Sequence, residues 1–225
     1  MTSILDLVKQ KPLTIIISLP KNDLDLAKAA FECGADAIKV HCNVEHRASG
    51  TRFGGWSEER AIIKKIIAAV KCPVGLMPGA GTTLTSAELL AAEQEGISFV
   101  DIYDHDMPDW MWRTKLEKMV AAGHDFSKES ILAMAQKGAD LIEASIIDPA
   151  RYGEPLQEED IANYQKIVQL SGRPIFVPTQ KKIQPEELAR LKKAGVKGVL
   201  LGAIVLGNSV NTFKERIPAF VKKTK

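Results

Sequence analysis

Gly195-Val196-Lys197-Gly198-Val199-Leu200-Leu201-Gly202-Ala203-Ile204-Val205-Leu206-Gly207-Asn208-Ser209 reads as a short apolar strand running into a glycine, a small residue and then a helix start. An unbroken Val/Leu run of this kind suits a parallel strand buried on both faces. Gly202 has no Cβ and lets a ligand approach the main chain closely. Gly207-Asn208-Ser209 is placed to open a short helix whose free N–H groups would face an anion. Gly202, Ala203, Asn208 and Ser209 are therefore the candidate anion-binding turn. The stretch decides the fold only in company, because its meaning depends on how many strands precede it.

Seven do. The β-branched run at 13–18 is the first strand, and Asn22 or Asp23 caps a helix that Gly34 ends. Further strands are expected at 35–42, 73–77, 99–103, 118–123, 139–146 and 174–178. Between them lie helices at 83–95, 127–137, 157–170 and 185–193, one capped by Ser57 with Ile62, Ile63, Ile66 and Ile67 at helical spacing, and a last one at 211–222. Residues 43–56 read as a polar loop. Eight strand–helix alternations without a linker predict a parallel sheet closed into a single (β/α)8 barrel over residues 1–225.

A repeat sets the register of that barrel. Gly34-Ala35-Asp36-Ala37-Ile38-Lys39 matches Gly138-Ala139-Asp140-Leu141-Ile142-Glu143, and Gly96 to Asp101 and Gly195 to Leu200 follow the same frame. These open strands two, six, four and eight. Five residues past each glycine stand Lys39, Glu143, Asp101 and Leu200; seven past stand His41, Ser145, Tyr103 and Gly202. The alternate residues, such as Ile38, Val100 and Ile142, are apolar and suit the helix side, so the charged set faces inward. Three ionisable groups in one barrel layer are costly unless paired. Either they form an ion cluster that only closes the barrel, or they do chemistry at the strand ends where barrel enzymes keep it. In the second reading Glu143 or Asp101 is the general base, Lys39 holds a developing enolate oxygen, and His41 assists.

The remaining candidates surround this layer. Ser18 ends strand one, and Tyr103 ends strand four. Arg47, Ser49, Gly50, Thr51 and Arg52 form a loop beside strand two in which Arg52 suits bidentate contact with a substrate anion. Gln180, with Lys181 and Lys182, follows strand seven beside the anion turn. A divalent metal would need His41, Asp101 and His124, without any local metal-ligand spacing to support it, so no cofactor is expected. Trp110, Met111 and Trp112 in 104–112 suggest either a lid or a subunit contact, and so a homo-oligomer.

A formal net charge of +2 over 225 residues gives no reason to expect nucleic acid or a membrane surface as partner. No apolar run is long enough to span a bilayer, and no secretory leader is evident at the start. Cys33, Cys42 and Cys72 lack metal-type spacing and suit a reducing cytoplasm.

The final strand and its glycine turn resemble those of the phosphate-binding (β/α)8 barrels, the ribulose-phosphate-binding group. In layout the chain is most similar to N-acetylmannosamine-6-phosphate 2-epimerase, with its charged pair on strand two and acid on strand four. It lacks that family's Lys after strand three, where Val74-Gly75-Leu76-Met77-Pro78 stands, and its acid on strand seven, where Phe176-Val177-Pro178-Thr179 stands. The resemblance therefore implies a small phosphorylated substrate, but not the epimerase chemistry. The expected activity is proton transfer next to a carbonyl of a phosphorylated sugar or keto/hydroxy acid: isomerase, epimerase or lyase. Two alternatives stand beside it: a class I aldolase with Lys39 as Schiff-base nucleophile, and a barrel without catalysis that senses a ligand or assembles with partners.

Overall fold

A computed structural model describes residues 3–224. Eight parallel strands close a barrel: β1 (Thr14–Ser18), β2 (Ala37–His41), β3 (Val74–Met77), β4 (Ile97–Tyr103), β5 (Glu117–Ala122), β6 (Leu141–Ala144), β7 (Ile175–Pro178) and β8 (Gly198–Leu201). β8 returns to β1 with Ile16 opposite Leu200, and β1 pairs β2 with Ser18 opposite Lys39. The chain is an α/β (β/α)8 barrel.

Helices α2 (Leu24–Glu32), α3 (Trp56–Ala69), α4 (Ser86–Gln94), α5 (Lys128–Lys137), α6 (Glu158–Ser171), α7 (Leu188–Lys193) and α9 (Val210–Lys222) wrap the outside. Their caps are mostly those of the sequence pattern. Asp23 accepts from the amides of Asp25 and Leu26, Thr85 and Ser127 cap α4 and α5, and Gly138 ends α5 at a φ of 108°. Ile38, Val40, Val100, Ile142 and Val199 pack outward into the apolar layer beneath the helices.

The opposite end of the barrel is plugged. Helix α1 (Ile4–Gln10) lays Ile4 and Leu7 against Ile16, Ala37, Phe99, Met119, Leu141, Phe176 and Leu200. Its first amides, Ile4 and Leu5, donate to the Glu117 carboxylate at 2.8 and 3.3 Å, which suits a helix N-terminus. Two glycines make room for this plug. A Cβ on Gly75 would stand 2.1 Å from the Phe99 ring, and one on Gly198 2.0 Å from the Phe176 ring.

Three expectations are corrected. The 43–56 segment is not a simple loop: Val44–His46 and Thr51–Phe53 pair as an antiparallel hairpin, launched by Asn43 in the left-handed region at φ 49°. Helix α3 starts one residue before Ser57, because Gly55 takes the cap, Glu58 accepts from its N–H, and Trp56 is buried against the core. The short helix near the end, α8 (Ala203–Leu206), precedes Gly207 rather than following it. Gly207 turns the chain at φ 73°, and Ser209 instead caps α9 by accepting from the Thr212 amide.

Candidate active site

The register places Lys39, Asp101 and Glu143 in one inward layer just above the plug. Lys39 Nζ donates to Asp101 Oδ2 at 2.6 Å and to Glu143 Oε2 at 3.0 Å, and all three residues are at least 92 % buried. Burial alone would discharge the ammonium, but the two carboxylates outweigh it and hold the Lys39 pKa above its ordinary value. Burial and the neighbouring Glu143 charge push the Asp101 carboxyl well up, with Lys39 only partly offsetting them. Burial also acts against the Glu143 charge, but Lys39 and hydrogen bonds to Lys39 and Asp101 outweigh it and bring its pKa below the ordinary value. The pair is thus driven apart, Glu143 toward the carboxylate and Asp101 toward the acid, beside an ammonium.

This cluster floors a cavity of about 450 Å³ that opens at the C-terminal ends of the strands. The size is at the small-molecule end of the usual range. All four histidines of the chain, His41, His46, His105 and His124, line it. His41 is wedged. Its Nε2 lies 3.3 Å from Ser18 Oγ, its Nδ1 has no partner, and its ring packs on Phe53 and His46 at centroid distances of 4.7 and 4.9 Å. Burial, then the His46 and Lys39 charges, hold its pKa well below 6.5. Burial, then the Lys39 charge, bring His46, carried over the mouth by the hairpin, down to about 4, with Glu143 only partly offsetting them. Asn22 fixes the end of β2 by donating to the His41 carbonyl at 2.7 Å and accepting from its N–H at 3.1 Å.

The far wall is a hydroxyl and amide chain. Tyr103 Oη lies 2.9 Å from Ser145 Oγ, and Gln180 donates to Ser145 at 2.9 Å and to the Tyr152 hydroxyl. Beside it, Thr179 Oγ1 accepts from the Gly202 N–H at 2.8 Å and donates to the Leu200 carbonyl at 3.1 Å.

Of the residues picked out from sequence, Ser18, Lys39, His41, Tyr103, Asp101, Glu143, Gln180 and Gly202 therefore share one cavity. Arg52 does not join them. It stands across the hairpin from Glu45 and lines an outer groove with Glu58 and Glu59, while Arg47 lines the cavity instead. Asn208 and Ser209 are exposed beyond α8, so the turn they form is a cap for α9, and Gly202, not Ala203, lines the cavity rim. Lys181 turns away from that rim, fully buried, to pair with Glu154 at 2.7 Å and Asp160 at 3.8 Å.

Among the described residues, no group of three or more His, Cys, Asp or Glu side chains is gathered as a metal site. His41, Asp101 and His124 line the cavity without converging. Met107 and Met111 are buried, and Trp110 and Trp112, partly buried, pack on the core. Sequence reasoning missed Tyr152 and Thr179, both on connections whose path no periodicity foretells.

With this geometry in place, solved structures supply a comparison. The thiamine phosphate pyrophosphorylase of Pyrococcus furiosus superposes with a TM-score of 0.67 at 15% identity, covering 96% of this chain and 97% of that one. A chain of tryptophan synthase from Mycobacterium tuberculosis gives 0.71 at 14% identity over 100% and 99%. The tryptophan synthase A-subunit of Pyrococcus furiosus gives 0.65 at 13% identity over 94% and 98%. The likeness is one of fold. No protein-family model matches the sequence, and no curated protein matches it either. No helix among the described residues is long and apolar enough to cross a membrane.

Proposed function

We propose that this barrel is an enzyme that moves a proton next to a carbonyl in a small phosphorylated sugar or keto/hydroxy acid. The observation that carries the reading is the Lys39–Asp101–Glu143 cluster at the floor of the cavity. A buried ion cluster needed only for closure has no reason to sit under an open cavity, and two carboxyls with divergent pKa values suit an acid and a base. Glu143, favoured as the carboxylate by Lys39, takes the carbon-bound proton; Asp101, favoured as the acid by burial and the Glu143 charge, returns one. The class I aldolase alternative fits less well. A Schiff-base lysine must lose its proton, and Lys39 is held as an ammonium by two carboxylates.

The phosphate half of the reading draws on the rim at Gly202. A helix start leaves its first N–H groups without intrahelical acceptors; that of Gly202 is taken by Thr179, while Ala203 and Ile204 follow it into α8. The name of one neighbour, thiamine phosphate pyrophosphorylase, agrees with a phosphorylated ligand. The test is exchange of carbon-bound hydrogen for deuterium, followed by NMR across a panel of phosphorylated keto sugars and hydroxy acids. One member should exchange with wild type and not with Glu143→Gln. Ligand binding without exchange anywhere in a broad panel would favour a sensing barrel instead.

A further inference from the structure

We infer that Tyr103 and Tyr152 form a neutral two-donor site for the substrate's carbonyl oxygen, oriented by Ser145 and Gln180. The inference rests on the proton-transfer reading above and assigns the place where the negative charge develops.

The direction of every hydrogen bond in the far wall follows from one fixed donor. The main-chain N–H of Ile147 donates to Gln180 Oε1 at 3.1 Å, so the other end of that amide is its NH2 group. The NH2 group donates both its hydrogens, one to Ser145 Oγ at 2.9 Å and one to Tyr152 Oη. Gln180, 95 % buried, is thereby used up as a ligand contact and becomes a positioning residue. Ser145 Oγ and Tyr152 Oη have each accepted one bond, and their own hydrogens must go elsewhere. Ser145 shares a single hydrogen bond with Tyr103 Oη at 2.9 Å, whichever of the two donates. Of the five hydrogens on these groups, three lie in bonds within the set, leaving two. One belongs to Tyr152, whose hydroxyl also neighbours Ser145, and the other to the Tyr103–Ser145 end; neither hydrogen makes a further well-aligned bond among the described residues.

Both tyrosines line the cavity that holds Glu143, so the spare hydrogens face the space a ligand would fill. The site offers two hydrogens to an acceptor oxygen. Burial, and then the Glu143 charge, raise the pKa of both hydroxyls, so they stay protonated as donors. Lys39 is poorly free for the same task, since two of its three hydrogens are committed to Asp101 and Glu143. When Glu143 takes the proton, the C–H pair becomes the new C=C bond and the carbonyl π pair moves to oxygen. Two hydroxyl donors are then aimed at that oxygen. Return of a proton to carbon reverses the shift and restores the carbonyl.

Binding of two probes tests this without relying on turnover. Phosphoglycolohydroxamate carries an enediolate-like oxygen, and ethyl phosphate lacks one. Wild type should prefer the hydroxamate. Tyr103→Phe and Tyr152→Phe should each weaken hydroxamate binding by about tenfold while leaving ethyl phosphate unchanged. Gln180→Leu, which touches neither probe, should erase the preference as well. Should Gln180→Leu fail to fold, each Tyr→Phe change removes one oxygen only and carries the test alone. Glu143→Gln should keep the preference, so loss of exchange in that variant speaks to the base and not to the donor site. In the exchange assay the tyrosine variants should lower kcat with KM little changed. A wild type that binds both probes equally, or tyrosine variants that bind the hydroxamate as wild type does, would overturn the assignment.

Discussion

Replacing Lys39 by Met removes the one cation from a layer with two carboxyls, 2.6 and 3.0 Å from its Nζ. At pH 7 the variant should lose roughly 3–5 kcal/mol of stability, the usual cost of leaving a buried charge without its partner. The loss should depend on pH in a stated direction. Without the ammonium, Glu143 has only burial and Asp101 beside it, so its folded pKa rises above the unfolded value and the folded variant binds an extra proton. A state that binds more protons gains on acidification. Wild-type Glu143 behaves oppositely: its lowered pKa contributes stability above the unfolded value of 4.5, lost as pH falls through the folded pKa. Burial raises Asp101 in both proteins, so Glu143 carries most of the difference between them. The stability gap should therefore narrow by about 1.4 kcal/mol for each pH unit in which the extra proton is held, or roughly 2.7 kcal/mol between pH 7 and pH 5. Urea unfolding of both proteins at pH 5, 6 and 7 measures it. A gap that stays constant across this range would refute the coupling between the ammonium and the carboxylates.

The other predictions concern the cavity and its rim. Glu143→Gln should fold and bind ligand but lower exchange by roughly a hundredfold or more, and near-normal exchange would remove Glu143 as the base. Gly202→Val should fold normally, because its φ is −125° and a Cβ there meets nothing closer than 3.7 Å; affinity for a phosphorylated ligand should still fall steeply, as calorimetry would register. By histidine NMR, His46 should stay neutral from pH 8 down to about 5.5 and His41 should titrate well below 6.5; either ring titrating near 6.5 would contradict the packing described. Because both pKa values are lowered on folding, the unfolded chain binds more protons, and these rings should make stability fall as pH drops below 6.5. Met111→Ala should cost roughly 2–5 kcal/mol in thermal unfolding, since the side chain is fully buried; a negligible change would contradict that burial.

What was legible from sequence was whatever repeats. The glycine-opened frames of β2, β4 and β6 are short, but a strand's period of two leaves one choice of face, and that choice brings Lys39, Asp101 and Glu143 together. The apolar run from Val199 to Leu206 serves a strand and a short helix equally well, which is why the helix start was expected one glycine too late. The hairpin strands are three residues each, too short to show alternation, so Arg52 and Arg47 could not be told apart as outward and inward. Tyr152 sits just after a single 3-10 turn whose course is set by Asp148 accepting from the Ala150 amide, and by the distant pairing of Lys181 with Glu154. Nothing within the local sequence announces such a long-range tether.

The plug formed by α1, Phe99, Met119 and Phe176 makes the cavity a vessel with one opening. Traffic through a single doorway is sequential. If the reaction takes or makes two molecules, the one seated deeper, against Lys39 and Glu143, must enter first and leave last. Steady-state kinetics would then have a compulsory order, and the last product out would compete with the first reactant in. The two glycines that let the phenylalanine rings pack across the floor thus reach beyond stability to the order of events in each turnover.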